Sequence, residues 1–158
     1  MNPVKKKQGK SQQANKLISL LNQDLANAID LKLQAKQAHW NLKGENFIAL
    51  HELFDKVATE VDGFADMLAE RVVQLGGIAQ GTLQAAAATS QLKSYPKDIQ
   101  RSILHVAALG SAIETLAESE RALIEAADEV NDAVTADICT EIARGLDMLH
   151  WFVEAHNY

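Results

Sequence analysis

The chain has 158 residues, 47% of them hydrophobic, 23% charged and only 5% aromatic, the make-up of one soluble domain with an ordinary core. No apolar run reaches the roughly 18 residues of a membrane helix, and the N-terminus lacks the apolar stretch of a signal peptide. The net charge of −6 hides five lysines and no acid in residues 1–16, which leaves −11 on the remainder, and the lone Cys139 excludes an internal disulfide and points to a reducing cytosol.

Residues 1–10 have little apolar content and are expected to form a flexible, lysine-rich arm, with residues 11–158 as the folded domain. Ser11 is the expected N-cap of a first helix running to about residue 38, in which Leu17, Ile18, Leu21, Leu25 and Ala28 recur at threes and fours. Asn41–Asn46, with Gly44, reads as a turn. A second helix is expected from about 47 to 75, stopped by Gly76-Gly77. Leu50, Phe54, Val57, Val61, Phe64, Leu68, Val72 and Leu75 form its apolar stripe. Residues 76–95 form a connection too long for adjacent antiparallel helices, which suits a crossover between parallel ones. Pro96 fits the first turn of a third helix ending near 128. A turn at Asn131-Asp132 then leads to a fourth, from about 133 to 155. The fold class is therefore all-α: four long helices with one long crossover between the second and third.

The second helix also carries metal-type side chains away from its apolar stripe. His51/Asp55 and Asp66/Glu70 are each spaced i,i+4, so each pair projects from one face. Asp55 and Asp66 are 11 residues apart, roughly 16 Å at ~1.5 Å per residue, too far to share an ion on one straight helix. An antiparallel copy related by a two-fold axis, crossing near residues 60 and 61, brings one chain's first pair to the other chain's second. Gly63 lies near the crossing, where a missing side chain lets backbones approach. A two-fold interface is the commonest oligomer symmetry and here generates two equivalent sites. The competing reading is a solvated polar face, which gives no reason for a histidine and no lysine on that arc. Ligands of this kind, without thiolate, suit iron, manganese or zinc. Trp40 on its own reads as core packing, Trp151 and Phe152 as anchors of the last helix, and Cys139 as a small buried hydrophobe. His105, His150 and His156 read as isolated histidines, not ligands.

Three stretches now stand together: Lys36-Gln37-Ala38-His39-Trp40-Asn41-Leu42-Lys43-Gly44, Leu50-His51-Glu52-Leu53-Phe54-Asp55, and Asp66 through Glu70 and Arg71 to Gly76-Gly77. With Thr135-Ala136-Asp137-Ile138 and Trp151-Phe152, they resemble the Dps family, the DNA-binding proteins from starved cells or bacterial mini-ferritins, over nearly the whole chain. The resemblance implies a ferritin-like four-helix subunit in a hollow shell of twelve. It also implies ferroxidase sites between two-fold partners that can take two irons, with His39, His51 and Asp55 from one subunit and Asp66 and Glu70 from the other. Trp40 becomes a neighbour of the site that intercepts radicals. The implied reaction is oxidation of Fe(II), preferentially by hydrogen peroxide, with ferric mineral stored in the cavity and DNA protected from oxidative damage.

The resemblance also implies acidic pores near the start of the last helix, for which Asp132 and Asp137 are the candidates as an iron inlet; an acidic helix N-terminus is the competing explanation. Lys5, Lys6, Lys7 and Lys10 are the candidates for non-specific, salt-sensitive DNA binding by a cytoplasmic, nucleoid-associated protein, against the alternative of a solubilising tail. The alternative function is a mainly structural DNA-condensing protein with secondary metal binding. A larger ferritin fits less well, because its Glu-x-x-His ligand motifs are absent and only Asp147-Met148-Leu149-His150 comes near.

Overall fold

The structure is a computed structural model that describes the backbone of residues 3–157 and the side chains of residues 12–157. Within them lie five α-helices and no strand: α1 (Pro3–Asn41), α2 (Phe47–Gln74), α3 (Leu83–Thr89), α4 (Ser102–Glu129) and α5 (Ala133–Glu154), followed by a 3-10 turn, Ala155–Asn157. The side chains of Lys5, Lys6, Lys7 and Lys10, and with them the expected DNA contacts, lie outside the described residues. No described helix is long and apolar enough to cross a membrane.

The helices order themselves through their ends. Lys32 pairs with Asp62 and Lys36 with Asp55, so α1 and α2 run antiparallel; Lys16 pairs with Glu129, so α1 and α4 do too. α2 and α4 are therefore parallel, and the segment between them is the crossover that the connection length predicts. α2 packs on α1 and α5, and α4 packs on the same two, leaving α2 and α4 diagonal. The core is filled by Leu21, Leu31, Phe54, Leu68, Leu109, Ile113, Leu123 and Ile142, all essentially without solvent contact. Each such side chain contributes about 1.5–3 kcal/mol over an exposed one.

Two helix ends are built alike. The Gly76 N–H bonds the Val73 carbonyl and the Gly77 N–H the Val72 carbonyl, with Gly76 at φ +85°. Asn131, at φ +58°, closes α4 in the same way, with Asp132 N–H on the Ala127 carbonyl. Both are Schellman closures, which satisfy carbonyls the helix cannot.

Four expectations are corrected. α1 starts at Pro3, not after Ser11, because proline suits a first helical position and Lys and Gln continue a helix well. α4 starts at Ser102, so Pro96 and Ile99 lie in the crossover. The small-residue run forms α3, capped by the Thr82 hydroxyl accepting from the Ala85 N–H at 3.2 Å. Trp40 is not core: it is 66% exposed, and Trp151 on α5 is 67% exposed. Their helical positions point outward, and an aromatic ring gives no periodic signal by itself.

Candidate metal centre

The α1–α2 hairpin brings His39, in the last turn of α1, against His51, one turn into α2. Their rings stack at 3.7 Å with 21° between planes, and Phe47 stacks on the outer side of His51 at 5.0 Å. The pairing is reciprocal: His39 Nδ1 donates to the His51 carbonyl at 2.8 Å, and His51 Nδ1 donates to the His39 carbonyl at 3.1 Å. A carbonyl only accepts, so both rings carry a hydrogen on Nδ1, and the nitrogen left for an ion is Nε2, whose lone pair is available in the neutral ring. The His39 carbonyl is among the last four of α1, which lack a helical partner, so His51 also caps that helix. A histidine whose second nitrogen is fixed in this way is in the form a metal ion needs.

Asp55 follows one turn further along the exposed face of α2. Its Oδ1 takes the Lys36 ammonium at 2.6 Å. That hydrogen bond is the main reason its carboxyl sits below the usual carboxylate range, with smaller help from Lys36, His39 and His51 as charges. Lys36 also lies 5.7 Å from the Trp40 ring. An ion approaching Asp55 at Oδ1 must therefore displace a lysine, while Oδ2 carries no bond among the described residues. Lys36 was not singled out in the sequence; its signal is its place one turn before His39 on the same helix.

Asp66 and Glu70 are exposed on the same helix, and neither has an ion-pair partner among the described residues. α2 is unbroken between them and His51, so the separation inferred from spacing stands. Among the described residues, no three His, Cys, Asp or Glu side chains come close enough together to hold an ion. One subunit brings the two histidines together and leaves the carboxylates apart. The face between the two halves is a groove of about 560 Å³, whose lining includes Leu25, Ile29, Leu33, Thr59, Gly63 and Asp66. A Cβ added at Gly63 would meet nothing within 4 Å, so that glycine answers no crowding inside its own subunit.

The two pore candidates differ. Asp137 is exposed. Asp132 is engaged: it N-caps α5 through the Thr135 N–H at 3.1 Å, accepts the Thr135 hydroxyl at 2.6 Å, and takes Arg71 Nη2 on both oxygens at 2.8 and 3.0 Å. Burial pushes its carboxyl up, but these bonds outweigh burial and hold it below the ordinary range. His105 is buried, and its Nδ1 is bonded to the Tyr95 hydroxyl at 2.5 Å. Cys139 is buried, as expected.

Residues 18–157 match the family model described as a ferritin-like domain. The chain is 51% identical over 140 residues to the DNA protection during starvation protein of Agrobacterium fabrum, covering 89% of this chain and 86% of that one. A Dps protein crystal structure from Bacillus brevis superposes with a TM-score of 0.88 at 31% identity, covering 93% of this chain and 98% of the other. Dps from Microbacterium arborescens in its high iron form gives 0.85 at 33% identity, covering 91% and 93%.

Proposed function

The chain belongs to the Dps family of ferritin-like proteins, and on that premise we propose that it oxidises Fe(II), preferentially with hydrogen peroxide, and stores the ferric product in a closed shell. The observation that carries this reading is the His39–His51 pair. Two imidazoles, each held at Nδ1 by the other's backbone carbonyl, leave both Nε2 atoms for an ion without further ordering. Asp55 one turn away, and Asp66 and Glu70 on the same face, supply hard oxygen ligands, which favour Fe(III) over Fe(II). The separation of the two half-sites along one unbroken helix supports a reaction shared across a two-fold axis between subunits of a homo-oligomer, a dodecamer in the family's architecture.

Iron is the substrate. Two Fe(II) each give one electron to one peroxide molecule; the O–O bond breaks, two protons are taken up, and two waters leave with two Fe(III). Consuming both electrons in one encounter avoids releasing a hydroxyl radical, which is how such a reaction protects DNA. The exposed Trp40, beside the histidines, is placed to be oxidised first by any radical that escapes. Lys5, Lys6, Lys7 and Lys10 would hold phosphate backbones through charge alone, multiplied over many subunits, and so keep the protein at the nucleoid.

The test uses mixed shells. Fe(II) is titrated without oxygen, stoichiometric peroxide is added, and ferric absorbance is followed. His51→Ala/Asp55→Ala shells and Asp66→Ala/Glu70→Ala shells should each oxidise no faster than buffer. Shells assembled from a mixture of the two should regain activity, because some interfaces then hold one intact site. Mixed shells as inactive as their parents would rule out the shared site. If oxidation fails in the unaltered protein while a deletion of residues 1–10 abolishes DNA binding, the DNA-condensing role stands alone.

A further inference from the structure

A second group of acids lies inside the bundle, away from the interface. Asp24 of α1 and Glu120 of α4 are 1% and 0% exposed. Asp24 is bonded through Oδ1, which accepts the Ser119 hydroxyl and the Asn27 amide, the latter at 3.4 Å. Neither buried oxygen of Glu120 has a hydrogen-bond partner among the described residues. Cys139 of α5 lies beside Glu120. No lysine, arginine or histidine pairs with either acid among the described residues. Arg71 of α2, which reaches the same region through Thr135, is committed to Asp132 at the start of α5.

Two buried carboxylates without a cation are costly, and the cost falls on the one lacking donors. A metal ion is not the remedy here, since no three ligating groups gather on one point among the described residues. A proton is the remedy that needs no rearrangement. We propose that the buried Asp24 and Glu120 make the packing of α1 on α4 pH-sensitive: Glu120 is buried as the neutral acid in the folded subunit at neutral pH, and the packing loosens as rising pH ionises both carboxyls.

The electrostatics run the same way. Burial raises Asp24 from 3.8 to about 6, against the opposing pull of Ser119 and Asn27. Burial, reinforced by the charge of Asp24, raises Glu120 well above its ordinary value, with the Cys139 thiol working weakly against it. In the unfolded chain both acids ionise at ordinary carboxylate values. As pH rises above them, the unfolded chain sheds protons that the folded chain keeps, so stability present in acid is lost until the folded values are passed. Asp24 alone is worth roughly a hundredfold in the unfolding equilibrium over that window.

The experiment compares the full-length assembled protein with Glu120→Gln and Asp24→Asn in urea unfolding at one protein concentration, from pH 4.5 to 8. Glutamine keeps the shape and cannot ionise. Stability of the unaltered protein should fall relative to Glu120→Gln by a hundredfold or more in the unfolding constant, with the gap closing at the acid end. In the infrared, the unaltered protein at pH 7 should show the carbonyl stretch of a protonated carboxyl that Glu120→Gln lacks. Parallel stability profiles, or no such band at pH 7, would overturn the proposal. If Glu120→Gln does not fold, loss of the band in the unaltered protein between pH 5 and 9, with destabilisation over the same range, decides for it, and a band absent throughout decides against.

Discussion

Replacing Asp132 with alanine removes four contacts at once: the α5 N-cap, the Thr135 hydroxyl bond and both bonds from Arg71. Losing an aspartate cap costs about 1 kcal/mol. The arginine pair is 11% and 18% exposed, so its charged bonds contribute about 1.5–3 kcal/mol when one partner is removed. Arg71 keeps Thr135 through Nε at 2.9 Å and Gln74 through Nη1 at 3.1 Å, which places the pair at the low end. The sum is about 2–3 kcal/mol for Asp132→Ala. Asp132→Asn retains an equally good cap acceptor and loses only the charge, for about 1–1.5 kcal/mol. Because the folded state holds this carboxyl below its ordinary value, its contribution is present at neutral pH and is lost as pH falls below the ordinary carboxylate range. The gap between the unaltered protein and Asp132→Asn should therefore close in acid. Urea unfolding at constant protein concentration, at pH 7 and pH 3.5, measures both. A loss under 0.5 kcal/mol for Asp132→Ala at pH 7 would refute the structural role and return Asp132 to the iron inlet.

With Asp132 so engaged, Asp137 is the exposed candidate left for the proposed inlet: Asp137→Asn should slow iron uptake into assembled shells at unchanged stability, as followed by stopped-flow ferric absorbance. Lys36→Gln frees the Asp55 carboxylate, so Co(II) titration of the assembled protein should show severalfold tighter binding; weaker binding would mean that Lys36 positions Asp55 for the ion. Gly63→Leu should leave subunit helicity intact, since nothing lies within 4 Å of its Cβ, and should lower the assembled mass seen by light scattering if that glycine faces a partner. At Gly77 a Cβ would sit 2.7 Å from Ile18 Cγ2 and 3.0 Å from Val72 Cγ1. Alanine there should cost about 1–3 kcal/mol, visible in thermal melting.

The long helices and the crossover could be read from the sequence because periodic burial and glycine stops act locally. Leu50, Phe54, Val57, Val61, Leu68 and Val72 are all buried, and the His and carboxylate positions lie off that stripe. What could not be read depends on tertiary partners. Pro96 carries a helix-start signal, yet the chain holds it in the crossover, where neighbouring Tyr95 bonds His105 nine residues beyond it. Trp40 is hydrophobic, but its exposure is a matter of which way a helix is rotated. Asp24 and Glu120 look like surface acids in any window, since nothing nearby in sequence reveals that one faces α4 and the other α1. Asp55 was legible as a candidate ligand; the lysine bonded to it belongs to a different helix.

The histidine pair has a consequence for how the site can change. Metal-bound histidines are usually oriented by side chains, which substitution can remove. Here each ring hangs on a main-chain carbonyl of the opposite helix, and no substitution removes a carbonyl. The orientation is insensitive to composition and sensitive to chain length. A single residue inserted into the turn at 42–46 would move each carbonyl away from its ring, although those residues are exposed apart from Leu42 and bear no ligand. Along that stretch Leu42 is buried and Gly44 and Asn46 hold left-handed backbone at φ +93° and +58°, so Lys43 and Glu45 are free to drift in identity while the whole turn is held to its count.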